Sequence, residues 1–247
     1  MGLMGIRSPN SRTLRFSFIS TLRMLTETLK RGWSFVKARY APRGARICFA
    51  QYGEDRVMFE ILKKHLKGPF SYIDIGAHHP YFGNNTYLFY REGGSGVVIE
   101  PNRSLLQTFK RIRPRDTALD VGVGPVDGSS DYFAFSQSTR STFSAQQAEE
   151  HQRRTGQHPT REQRTIRSLD SIVDEFFQDR PLALLSIDAE GLDEAILSAY
   201  SFRVRPTMIC VETTDQHGQL ASILRERGYA MVALVMQNAI YLDTTTA

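Results

Sequence analysis

The chain has 247 residues, 41% of them hydrophobic and 23% charged, with a formal net charge of +5. That is enough apolar material for one sizeable core, and no run of 18 or more uncharged apolar residues offers a spanning helix. Two cysteines, Cys48 and Cys210, supply neither a disulfide framework nor metal-ligand spacing, which fits a reducing, cytoplasmic setting.

The charge is unevenly placed. Residues 1–46 hold ten Lys/Arg against one acid, Glu27, for +9; the other 201 residues hold 21 bases and 25 acids, for −4. The basic character therefore belongs to an N-terminal arm, which argues against a body that binds nucleic acid. Within the arm, Leu14, Phe18, Leu22, Leu25, Leu29, Trp33 and Val36 recur at three- and four-residue steps, the period of an amphipathic helix. Three readings of residues 14–37 stay open: packing against the body or a partner subunit, peripheral attachment to an anionic membrane, or organelle targeting. "YAPRGAR", residues 40–46, has the composition of a linker, so the body is expected over 47–247.

In the body, "QYGEDRVMFEILKKHLKG" sets Val57, Met58, Ile61, Leu62 and Leu66 at helical spacing before a Gly68 stop. "FSYIDIG" reads as a strand, "NTYLFYREGG" as a helix and "GVVIEP" as a second strand. A helix over "RSLLQTFKRIR" follows, then a third strand at "TALDVGVG" and a further short one at "DYFAF". Residues Ser136 to Arg167 are polar with no clear buried face, the pattern of a functional lid or a disordered segment. Beyond them come a helix ("SLDSIVDEFF"), a strand ("LALLSIDAEG"), a helix ("LDEAILSAYSF"), a strand ("TMICVETT") and a helix ("QLASILRERGY"). "AMVALVM" and "AIYLDT" close the chain as a hairpin around Gln237 and Asn238. Strands alternating with helices imply an α/β fold, a mostly parallel sheet covered on both faces, with an antiparallel edge hairpin.

Ligands of such sheets bind at the carboxyl ends of the strands. Those ends carry Asp74-Ile75-Gly76-Ala77-His78-His79, Glu100-Pro101-Asn102, Asp120, Asp188-Ala189-Glu190 and Glu212. An acid closing the second strand, as Glu100 does 24 residues after Gly76, accepts hydrogen bonds from both hydroxyls of a ribose. The first loop lacks the glycines that let a backbone approach a pyrophosphate, so NAD-type ligands are disfavoured. A nucleoside without phosphates fits, and S-adenosylmethionine is the obvious one. Asn84-Asn85-Thr86 reads as a helix N-cap or as a contact to acceptor or donor.

"QYGEDRVMFEIL", "YIDIGAHHPYFGNNTYLFYREGGSGVVIEPN" and "LLSIDAEGLDEAIL" together resemble the FkbM-type family of S-adenosylmethionine-dependent methyltransferases, from about Phe49 to Asp243. The resemblance implies a class I methyltransferase (Rossmann-like) fold of seven strands. It also implies O-methylation of a hydroxyl, on a sugar, polysaccharide or natural-product acceptor; a lipid-linked acceptor would suit a basic arm at a membrane. Gly94 stands where the family commonly has tryptophan, the loss of one packing aromatic. Carried onto this chain, the resemblance makes Asp74, Gly76 and Ala77 the donor loop and has Glu100 hold the ribose, with Pro101 and Asn102 beside it. Asp120 becomes a candidate for the adenine amine, and Asp188 and Glu190 would face the methyl group and the acceptor. Candidate bases for the acceptor are His79 and Asp188, then His78. No metal is expected, although a metal-dependent hydrolase built on His78, His79, Asp188, Glu190 and Glu212 stays open as an alternative. So does a non-catalytic nucleoside-binding module on the same fold.

Overall fold

A computed structural model describes residues 46–137, 140–189, 191–213 and 218–245. The arm helix expected over 14–37 and the Glu190 side chain lie outside the described residues. The chain divides into two units, Met1–Ile47 and Cys48–Ala247, and the second carries the architecture below.

A seven-stranded sheet is built from β1 (Ser71–Ile75), β2 (Ser95–Ile99), β3 (Thr117–Leu119), β7 (Leu184–Ile187), β8 (Met208–Glu212), β9 (Tyr229–Val235) and β10 (Asn238–Asp243). Their spatial order is β3-β2-β1-β7-β8-β10-β9. β1 pairs in parallel with β2 and β7, whereas β10 runs antiparallel to both β8 and β9. Counted along the sheet's own strands the order is 3-2-1-4-5-7-6, the seven-stranded arrangement expected, with the terminal hairpin at the edge.

Both faces are covered because the strands are apolar on both sides. Ile73, Ile75, Val97, Ile99, Leu185, Ile187, Ile209 and Val211 form one core with α5 (Leu169–Phe176), α6 (Asp193–Ala199) and α7 (Gln219–Glu226). Tyr72, Val98, Leu184, Met208, Cys210 and Ile240 form the other with α1 (Glu54–His65), α2 (Tyr87–Arg91) and Phe109 of α3 (Arg103–Ile112). Strand order reverses at β1, the chain building outward through β2 and β3 on one side and later through β7 and β8 on the other, which opens a crevice at the carboxyl ends of β2, β1 and β7.

Two expectations are corrected. "TALDVGVG" is not one strand: β3 belongs to the main sheet, and β4 (Gly122–Gly124) to a second sheet with β5 (Gly128–Ala134) and β6 (Thr160–Ser168), in the order β4-β6-β5. Of the two readings of the polar stretch 136–167, disorder is overturned where the stretch is described: it holds α4 (Ala145–Thr155) and all but the last residue of β6, which pairs with β5. Its pairing is non-local, Gly128 lying opposite Ile166, and α4 buries only Ala148, so the segment shows no apolar period. At Gly94 a Cβ would lie 2.4 Å from the Phe70 carbonyl oxygen, so the backbone here admits no side chain rather than merely lacking an aromatic.

Candidate active site

A cavity of about 920 Å³ opens at the carboxyl ends of β1, β2, β7 and β8. Gly76 forms its floor with a φ of 74°, and a Cβ there would lie 2.0 Å from the Asp188 carbonyl oxygen. Only glycine fits both that conformation and that approach. The N–H groups of Gly76 and Ala77 both donate to the Ile99 carbonyl at 3.1 Å, which draws the turn after β1 against the end of β2.

Glu100 is the wall's central charge. Its carboxylate accepts the backbone N–H of His78 at 2.9 Å on one oxygen and that of Asn102 at 2.8 Å on the other. Each oxygen retains a second lone pair for a ligand hydroxyl. The group is 5% exposed, and burial pushes its pKa up to about 7, helped by the charges of Asp74 and Asp120. Pro101 lines the cavity beside it, while Asn102 caps α3 by accepting the Ser104 N–H.

Asp74 is placed differently from the expectation. Because side chains alternate along a strand, Ile75 faces the cavity and Asp74 the opposite side. Its Oδ2 accepts from Thr86 Oγ1 at 2.7 Å and from Asn84 Nδ2 at 3.1 Å. Burial raises its pKa against the pull of Arg113. Arg113, fully buried, donates to Asp116, Asn84, Thr86, Tyr72 and the Pro80 carbonyl, tying the whole loop 80–86 to the end of α3. Asn84 and Thr86 belong to this network; Thr86 is the N-cap residue of α2 but makes no side-chain cap bond. Asn85 Nδ2 donates to Ser186 at 3.2 Å.

The expected order of the two histidines is reversed. His78 lines the cavity in a left-handed conformation (φ 47°), and burial, then the charge of His79, lowers its pKa. His79 does not line it: Nδ1 accepts the N–H groups of Tyr81 and Phe82, at 3.4 and 3.1 Å, and so organises the turn. With His79 turned to these backbone N–H groups and His78 to the cavity, the two rings face different surroundings. Asp120 is likewise outside the cavity, held by Arg103 and Arg164, and Val121, Gly122 and Val123 take its place on the wall. Ala77 is buried in the core behind the turn.

Asp188 and Glu212 line the cavity at the ends of β7 and β8. Burial first and the charge of Asp193 second raise the pKa of Glu212, while its contact with the Asp188 carboxyl lowers it. Asp193 accepts the N–H groups of Ala189 and Gly191, shaping the loop that presents Asp188. Among the described residues, no three His, Cys, Asp or Glu side chains gather as a metal site would need.

Several lining residues carried no usable signal in the sequence. Tyr132 and Phe143 meet at 4.9 Å between ring centres and form a wall with Ser141 and Thr142. Burial, then the charge of Glu100, pushes the Tyr132 phenol up to about 12. These four come from the second sheet and its following turn, so only tertiary pairing brings them to the site. Glu212 was legible as a strand-end acid, with a role only in the alternative metal-dependent reading. Phe49, Gln51, Tyr81, Phe82 and Gln237 complete the mouth.

Residues 74–231, more than half the chain, match the family model described as Methyltransferase FkbM domain. No curated protein matches the chain in sequence. Among solved structures, a TehB-like SAM-dependent methyltransferase from Corynebacterium glutamicum is 12% identical, covering 90% of this chain and 100% of its own, with a TM-score of 0.42. The 1,6-didemethyltoxoflavin-N1-methyltransferase of Burkholderia thailandensis, solved with 1,6-didemethyltoxoflavin and S-adenosylhomocysteine, is 13% identical over 96% of this chain and 91% of its own, at 0.39. A precorrin-6y C5,15-methyltransferase from Geobacter metallireducens is 15% identical over 81% and 94%, at 0.40. The family match, not these likenesses, carries the assignment.

Proposed function

Because the chain belongs to the FkbM methyltransferase family, and is thereby an S-adenosylmethionine-dependent methyltransferase, we propose that its acceptor atom is a hydroxyl oxygen of a sugar, polysaccharide or natural product. The observation that carries the donor site is the buried Glu100 carboxylate, held flat by two backbone N–H groups with two acceptor positions left toward the cavity. The residues present fit the donor. Glu100 would accept both ribose hydroxyls, Gly76 would leave room for the chain beyond the ribose, and the wall of Tyr132 and Phe143 would pack the adenine.

When bound, the donor supplies a methyl group already activated on a sulfonium, so the protein's contribution is positioning and removal of a proton. Asp188 sits at the end of the strand next to the Gly76 turn and is the group we assign to the acceptor proton. His78 lines the cavity too, and its lowered pKa leaves a neutral imidazole at pH 7, able to accept or donate one hydrogen bond. Oxygen as the target is favoured by this carboxyl-lined end, since a hydroxyl nucleophile gains from an acceptor within hydrogen-bond reach. A cavity near the upper end of the small-molecule range has space for an acceptor beside the donor.

Incubation with methyl-labelled donor and separated sugar, glycolipid and polyketide fractions tests the reading. Label that appears in an alkali-stable methyl ether supports it. Label found only on nitrogen or carbon refutes the oxygen assignment while leaving methyl transfer standing.

A further inference from the structure

The ends of β2, β1, β7 and β8 stand side by side in that order, and neighbouring strands lie about 4.8 Å apart. With the ribose at Glu100 on β2 and the sulfur over the Gly76 turn on β1, the methyl-bearing end of the donor points toward Asp188 on β7 and Glu212 on β8. Both carboxyls line the main cavity and also a small adjoining recess, about 50 Å³, shared with Gln51, Glu54, Asn85 and Asn238. Two carboxyl groups can hydrogen-bond each other only if a proton lies between them. Ile187 and Val211 are register partners on parallel β7 and β8, so Asp188 and Glu212, the next residue of each, stand side by side at the strand ends, placed to share a proton.

We propose that Glu212 works in methyl transfer as the partner of Asp188: the two carboxyls share one proton, face the methyl-bearing end of the donor and receive the proton that the acceptor oxygen loses. The inference rests on the donor placement and oxygen acceptor proposed above. In the step, a lone pair of the acceptor oxygen forms the new O–C bond and the S–C bond breaks with its electrons passing to sulfur. The O–H proton moves to the Asp188–Glu212 pair, which then loses it to water. Glu212 is the positioning residue and Asp188 the group in contact with the acceptor. Other titratable groups around the pair are Asp193 from α6, Glu54 from α1 and His78 from the turn after β1. Desolvation and the Asp193 charge raise the Glu212 pKa, which makes it a stronger proton acceptor than an exposed carboxylate.

The test needs no acceptor. Sinefungin carries an amine-bearing carbon where S-adenosylmethionine carries its methylsulfonium, so its ammonium reports the charge facing the methyl position. Calorimetry should show wild-type protein binding sinefungin about tenfold more tightly than S-adenosylhomocysteine at about pH 8, the value of one charge-assisted hydrogen bond. Glu212→Gln and Asp188→Asn should each cut that preference at least about threefold, with S-adenosylhomocysteine still bound. Lowering the pH to about 5.5 should erode the wild-type preference and leave that of Glu212→Gln unchanged. An undiminished preference in variants that bind S-adenosylhomocysteine overturns the pairing. If neither variant folds, a wild-type preference that ignores pH overturns it equally. Wild-type protein that binds neither ligand instead overturns the donor site itself, and the pair's role with it.

Discussion

Replacing Glu100 by glutamine separates what this residue does for the ligand from what it does to the fold. A carboxyl that ionises near 4.5 when free and about 7 in the folded protein gives up its proton first in the unfolded chain. Between those values the unfolded state binds fewer protons, so stability falls as pH rises; below 4.5 the contribution is fully present, and above 7 it is gone. At about 1.4 kcal/mol per pH unit, ionised Glu100 costs the folded protein roughly 3 kcal/mol at pH 8. Glutamine removes that charge but offers one acceptor where two backbone N–H groups need partners, and the unmet N–H costs about 1–3 kcal/mol at every pH. Urea denaturation from about pH 4.5 to 8 should therefore give a wild-type-minus-variant difference that declines by roughly 3 kcal/mol and flattens above 7. Ligand affinity should move the other way. S-adenosylhomocysteine should bind wild type up to about tenfold more weakly per pH unit below 7, and Glu100→Gln about a hundredfold more weakly at pH 8. Parallel stability curves together with a pH-independent affinity would refute both the burial argument and the ribose assignment.

Gly76→Ala should cost about 3 kcal/mol or more and abolish donor binding, since a Cβ 2.0 Å from the Asp188 carbonyl oxygen forces β1 and β7 apart; thermal melting and calorimetry check it. Arg113→Met should lower stability by about 3–5 kcal/mol, because it leaves Asp116 and Asp74 buried without their cation; denaturant unfolding within about 1 kcal/mol of wild type would contradict the network. His79→Ala should cost only about 1 kcal/mol and leave S-adenosylhomocysteine affinity within about twofold, and a tenfold loss would restore this histidine to the site.

How much could be read in advance depends on the range of the interaction involved. The order of strands and helices in the main sheet was legible because each is a short run with its own period and its own stop. "YIDIG" is apolar on both faces and breaks at glycine, and the terminal hairpin turns at two polar residues. Glu100 was legible because the end of a parallel strand is a defined place in this kind of fold. The second sheet was not: β5 and β6 pair across some thirty residues, and their exposed faces are as polar as any loop.

Within the site the division is sharper. Local pattern singles out Asp74, His78, His79 and Asp188 as unusual residues in their segments, and composition alone assigns the basic charge to the arm. Which of these residues face the cavity is a matter of strand pleat and turn geometry. Ile75 points in and Asp74 out, and His79 spends its acceptor nitrogen on two backbone N–H groups while His78 reaches the cavity wall. The Tyr132–Phe143 wall and the Asp188–Glu212 contact join residues 11 and 24 apart in the chain. Short-range periodicity records which side of an element is buried, whereas these contacts arise only when separate strands and turns are packed, so tertiary structure alone decides them.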